Sequence, residues 1–125
     1  MTREFILNTL LEYKQDPSKC AINDLNCMYL DQHTGNKCAV GKHLVNGGHQ
    51  NFPGGVDRLF SFYDPEKILT KEAFDQKIPN EIWELMQNYH DVIAYRNYKS
   101  INKVLNTLES YTNFKFPELR YEKTI

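Results

Sequence analysis

The sequence predicts an α-rich α+β fold, with about three main helices packed around one β-hairpin, in a single domain covering residues 1–125. Three observations predict it. Apolar residues recur at helical spacing in 5–13, 82–93 and 101–108; two short apolar runs, 27–30 and 38–40, flank a polar turn; and the length suits one core.

The first helix rests on Phe5, Ile6, Leu10 and Tyr13, with Leu7 and Leu11 widening the stripe, and Asp16-Pro17 stops it because proline disfavours helix at the residue before it. A polar connection, 18–26, delivers the chain to the hairpin. There a loop at 31–34 with Gly35 beyond it sets Cys27 opposite Cys38 and Tyr29 opposite Asn36. One short helical turn follows at Leu44 and Val45, ended by Gly47-Gly48. Residues 49–55, with Pro53 and two glycines, form a loop. Val56, Leu59, Phe60 and Tyr63 resume helical spacing. Asp64-Pro65-Glu66 then restarts a helix as cap, first-turn proline and first-turn acid, and that helix breaks near Thr70. Pro79 opens the clearest helix, whose core face is Ile82, Leu85, Met86, Tyr89 and Ile93. On that wheel Trp83 and His90 lie on one flank, and Asp91, about 100° further round, points away. After a break at 97–100, Ile101, Val104, Leu105 and Leu108 define a last helix, and Phe114, Phe116 and Leu119 sit in an extended tail.

Composition excludes several classes. No stretch approaches the roughly 18 to 20 apolar residues of a membrane span, and residues 1–15 lack the pattern of a signal peptide, so the expected location is cytoplasmic. Lys plus Arg number 15 against 16 for Asp plus Glu, a balance without the basic excess of a nucleic-acid binder. Three cysteines, an odd number, read as reduced thiols rather than a disulfide frame.

Four candidate sites compete. Cys20, Cys27, Cys38 and His43 offer three thiolates and an imidazole, but their spacings of seven, eleven and five contain no close metal-gripping pair, so no metal and no cofactor are expected. Cys38 with His90 as base is the second, the thiolate–imidazole pair of cysteine enzymes; the wheel brings His90 toward the hairpin and leaves Asp91 exposed, unable to orient it. Gly41-Lys42-His43 is the third. It fails the Walker pattern because His43 stands where a magnesium-binding hydroxyl is needed. The fourth is the Gly-rich segment 46–55 with His49 and Phe52, which suits an anionic small ligand held by backbone N–H groups, or a protein partner meeting Phe52 as a contact.

Cys27-Met28-Tyr29, then Gly35-Asn36-Lys37-Cys38-Ala39-Val40-Gly41 with Leu44, and later Gln87-Asn88-Tyr89-His90-Asp91, resemble a signature of small phage and bacterial proteins of unassigned activity. The resemblance covers about a quarter of the chain. It implies a mobile-element setting and marks Tyr29, Cys38, Gly41, His90 and Asp91 as a set.

The reading that follows is a non-catalytic binding protein, a phage-encoded factor in the host cytoplasm that engages a host protein or a small ligand through His49, Phe52, Tyr29 and His90. Eight Tyr and seven Phe support it, since aromatics serve as interface contacts. The alternative is a small cysteine-dependent hydrolase or transferase using Cys38 and His90.

Overall fold

Thr2 accepts the Phe5 N–H and opens α1 (Arg3–Gln15), and Asp16, ahead of Pro17, closes it; Phe5, Ile6, Leu10 and Tyr13 turn inward as their spacing requires. The computed structural model describes residues 1–23, 26–45 and 48–121. After a 3-10 turn at Pro17–Lys19, a ladder of two residues a side joins β1 (Ile22–Asn23) to β2 (Asn26–Cys27).

The expected β-hairpin does not form, and the fold is all-α rather than α+β. Among the described residues β pairing is confined to that short ladder and to isolated bridges, Leu30 with Lys37 and Leu44 with Leu69. Leu30 bridges Lys37, so the expected pairing of Tyr29 with Asn36 is displaced by two residues, and Cys27 pairs with Ile22 rather than with Cys38. Beyond Cys38 the backbone coils instead of extending: the Lys42 N–H donates to the Cys38 carbonyl and the His43 N–H to that of Val40. The reason lies in burial on every side. Cys38, Ala39 and Val40 are all wholly buried, whereas a hairpin strand with one solvated face would alternate. A short solid apolar run reads the same for a strand and for a buried turn.

The middle third is short helices. α2 (Val56–Phe62) buries Val56, Leu59 and Phe60. Asp64 caps α3 (Pro65–Ile68), accepting the Glu66 N–H at 3.0 Å, and the break at Thr70 is real because Thr70 itself caps α4 (Lys71–Asp75) through the Ala73 N–H. α5 (Asn80–Ala94) and α6 (Tyr98–Thr112) form an antiparallel-reading pair joined by a tight turn in which Arg96 takes φ 57°. This break comes at 95–97, beginning two residues and ending three residues ahead of the expected 97–100.

α1 and α2 pack against α5, and one cluster of buried side chains draws on all of these helices. The tail is not extended: a 3-10 turn at Pro117–Leu119 puts Phe116 and Leu119 into the core, and Tyr89 Oη donates to the Leu119 carbonyl at 2.8 Å. Glu109 pins it further. One oxygen accepts the Phe116 N–H at 2.7 Å and the other accepts from Arg120 at 2.5 Å. No helix among the described residues is long and apolar enough to cross a membrane.

Candidate functional site

Gly41 sets the geometry from which the site is built. A Cβ there would lie 1.9 Å from the Tyr29 carbonyl oxygen, so only glycine lets the turn at Gly41–His43 close on the Tyr29 backbone. Cys38 reinforces the closure: its N–H donates to the same carbonyl at 3.3 Å, and its Sγ accepts the Gly41 N–H at 3.2 Å. Tyr29, so held, is buried and reaches across to donate its hydroxyl to the Gly54 carbonyl at 2.9 Å. The 52–55 segment is thereby tied to the Tyr29 wall. Gln32 adds a second tie, donating to Asn51 Oδ1 at 2.7 Å.

Between these walls lies an open cleft of about 470 Å³, within the range of small-ligand sites. Met28, Leu30, Phe52 and Val56 give it apolar sides, while Gln50 from the segment and Gln87 and Asp91 from α5 supply polar groups. Phe52 is half-buried, its ring 5.5 Å from that of Phe62 and 6.0 Å from that of Tyr63, so it is partner-packed on one side while lining the cleft.

α5 has turned further than its wheel suggested. Trp83 and His90, expected on a flank, are in the core, and Leu85, expected in the core, is half-buried. His90 Nε2 accepts the Ala21 N–H at 3.0 Å, so that nitrogen carries no proton, and Nδ1–H donates to Asp91 Oδ1 at 2.9 Å. This corrects the expectation that Asp91 could not orient His90. Cβ directions about 100° apart do not prevent a carboxylate from swinging back along the helix surface. Gln87, one turn earlier, holds it there by donating to the same Oδ1 at 2.8 Å. Tyr13 closes over the imidazole edge-on, ring centres 4.7 Å apart.

These contacts bear directly on the thiol chemistry. Burial pushes the Cys38 thiol up to about 12, against the opposing pull of the Gly41 and Val40 N–H groups. Cys20 is likewise pushed up to about 12 by burial, and its Sγ lies 3.9 Å from the His90 carbonyl oxygen. Both ring nitrogens of His90 are occupied, one by backbone. A thiolate nucleophile needs the reverse: a depressed thiol and a base with a free lone pair.

His43, the imidazole of the rejected metal set, is also committed. Thr9 gives its hydroxyl hydrogen to the Phe5 carbonyl and so accepts from His43 Nε2 at 2.8 Å. Burial and then the Lys42 charge push His43 down to about 4. Lys42 itself donates to the Thr9 carbonyl and to Glu12. The side chain of Cys27 lies outside the described part of the chain, as do Asn46 and Gly47 of the Gly-rich segment.

Of the four binding residues read from sequence, Tyr29 and Phe52 line the cleft. His90 stands behind Asp91, positioning it, and His49 is buried, donating Nε2–H to the Val45 carbonyl with its ring 5.9 Å from that of Tyr63. Gln50 was missed. Its Nε2 is buried and has no hydrogen-bond partner among the described residues, a state no sequence pattern announces. Comparisons with known protein families, curated proteins and solved structures give no match.

Proposed function

We propose that this chain is a non-catalytic binding protein that engages a host protein or a small ligand through the cleft between Tyr29, the 50–55 segment and Gln87 with Asp91. One observation carries the reading. A single cleft with apolar sides holds two polar groups with unused bonding capacity among the described residues: Gln50 Nε2, which is buried without a partner, and the second oxygen of Asp91, whose two donors, His90 and Gln87, both end on Oδ1. Folding alone rarely leaves such a group buried and unmatched, because desolvation costs about 1 to 3 kcal/mol without a partner. A ligand would supply the match.

The cysteine-dependent hydrolase or transferase has the weaker support, since burial raises Cys38 and the Ala21 N–H occupies the lone pair of His90 that a general base would use. A cytoplasmic setting, in the host if the chain is phage-encoded, belongs to the same proposal and rests on the reduced-thiol reading and the resemblance of the Tyr29 to Gly41 block.

Amide NMR of the labelled protein with a small-fragment mixture tests the reading. Shifts should gather at residues 28–30, 50–56, 87 and 91, and iodoacetamide should label Cys38 slowly at every pH below 8. Fast alkylation of Cys38 near pH 6, or fragment shifts confined to other faces, would overturn it.

A further inference from the structure

Among the described residues the Asp91 carboxylate has no cationic partner. His90, one of the two donors to its Oδ1, has its Nε2 lone pair engaged by the Ala21 N–H and is therefore the neutral tautomer, a hydrogen-bond donor but not a counter-ion. Gln87, the other donor, is neutral. Lys103 borders a second hollow on the other side of Asp91, and among the described residues it forms no ion pair with it. The side chain is 31% exposed, so Oδ2 has room for a partner. An anion held by the glycine N–H groups of the 50–55 segment would face this carboxylate and be repelled. That weighs against the anionic ligand which the glycines alone suggest.

The rest of the cleft has a complementary demand. Gln50, a lining residue, has a buried N–H with no acceptor among the described residues, and the aromatic residues Tyr29 and Phe52 line the same space, rings of the kind whose quadrupole attracts a cation. We propose that the cleft takes an organic cation, an ammonium or guanidinium that also carries a carbonyl acceptor, as a basic amino acid or a basic residue within a peptide does. The cation meets Asp91 Oδ2, the carbonyl accepts from Gln50, and the aliphatic stem lies against Met28, Leu30 and Phe52. This rests on the binding reading above, and it names the ligand class.

The test is an NMR titration of the full chain with Nα-acetyl-argininamide and with Nα-acetyl-citrullinamide, its neutral counterpart of nearly the same shape. The arginine compound should bind at least about tenfold more tightly, the worth of one charge-assisted hydrogen bond. Asp91→Asn, which keeps an Oδ1 to accept from His90 and Gln87, should erase that preference. Gln50→Leu should weaken both compounds while leaving the preference. A blocked Ala-Ala-Arg-Ala-Ala peptide distinguishes the source: tighter binding than the single residue assigns the cation to a partner protein, and equal binding to a free small molecule. Equal affinity for the two acetyl amides in the unmodified protein would overturn the inference, and that comparison depends on no variant folding. Benzyl alcohol separates the two levels of argument. If it shifts cleft resonances while neither amide does, the cation is wrong and the cleft stands; if none of the compounds does, both fall.

Discussion

Glu109 on α6 and Asp91 on α5 are both carboxylates at the edge of the core, and they are treated in opposite ways. Glu109 is 6% exposed, has a backbone N–H on one oxygen and the Arg120 guanidinium on the other, and so is saturated in hydrogen bonds and in charge. Asp91 is 31% exposed, takes both of its donors on a single oxygen, and has no cation beside it among the described residues. A buried charge left unmatched is costly, so a carboxylate that spends its whole bonding capacity on the fold looks like Glu109. Asp91 does not. The difference separates a residue that fastens the tail from one that keeps bonding capacity for something outside the chain.

The largest effect is expected at the frame that holds the Asp91 side of the molecule. Gly41→Ala would drive a Cβ to within 1.9 Å of the Tyr29 carbonyl oxygen, and backbone must move to relieve it. A loss of about 3 kcal/mol or more is expected in urea denaturation, with the Tyr29–Gly54 tie lost as well. If Gly41→Ala melts like the parent, the closeness of the turn to Tyr29 is not what organises the cleft.

Next is Glu109→Ala, which strands the Phe116 N–H and leaves Arg120 without its partner. Arg120 is partly exposed and can turn to water, so the loss should be roughly 2 to 3 kcal/mol rather than the full cost of a broken buried pair. Hydrogen exchange should quicken at 114–120 and stay unchanged at 28–30. Equal quickening at both would break the comparison, since the two carboxylates would then belong to one cooperative unit.

Acid should act in two separable windows. His43 is pushed from 6.5 down to about 4 by burial and then by Lys42, so the unfolded chain takes up its proton first as pH falls. Its contribution is full above pH 6.5 and is lost on the way down to about 4, roughly 2 to 3 kcal/mol in all. Burial by itself would raise Glu109, but the Phe116 N–H and Arg120 outweigh it and hold the carboxyl below its ordinary 4.5, so its contribution is present above that value and is lost below it. His43→Gln should flatten the upper window of a pH–stability curve and leave the lower one. A curve unchanged by the substitution would mean that another group governs the upper window.

What could be read from the chain follows from how local each signal is. Asp16-Pro17, Asp64-Pro65 and Thr70 act on backbone groups a few residues away, and the helix ends they imply are where the structure has them. The 27–30 and 38–40 runs needed tertiary information, because complete burial of Cys38, Ala39 and Val40 removes the alternation that tells a strand from a turn. For the site, the Tyr29 to Gly41 block and Gln87-His90-Asp91 stand out in sequence. Their roles do not, since a helical wheel gives the direction of Cβ and not the reach of a rotated carboxylate. Gln50 and the Glu109–Arg120 pair had no signal at all: their meaning depends on which groups lie opposite, 11 residues along the chain for Arg120 and across the cleft for Gln50.

The smallest expected effect on stability discriminates best between the two carboxylates: Asp91→Asn set beside Glu109→Gln. At Asp91 the amide oxygen can go on accepting from His90 Nδ1–H and Gln87, while its NH₂ replaces an oxygen that has no partner among the described residues, so the fold should lose less than about 1 kcal/mol. At Glu109 both oxygens are in use. The amide nitrogen must then face either the Phe116 N–H or the Arg120 guanidinium, donor against donor, and the partly exposed guanidinium loses its counter-charge. A loss of roughly 2 kcal/mol is expected there, read as a shift in the denaturation midpoint at constant slope. The two isosteric changes should therefore differ by at least about 1 kcal/mol in a protein otherwise identical. If Asp91→Asn is as damaging as Glu109→Gln, the unused oxygen of Asp91 is serving the fold after all, and the case for a ligand at that atom loses its physical ground.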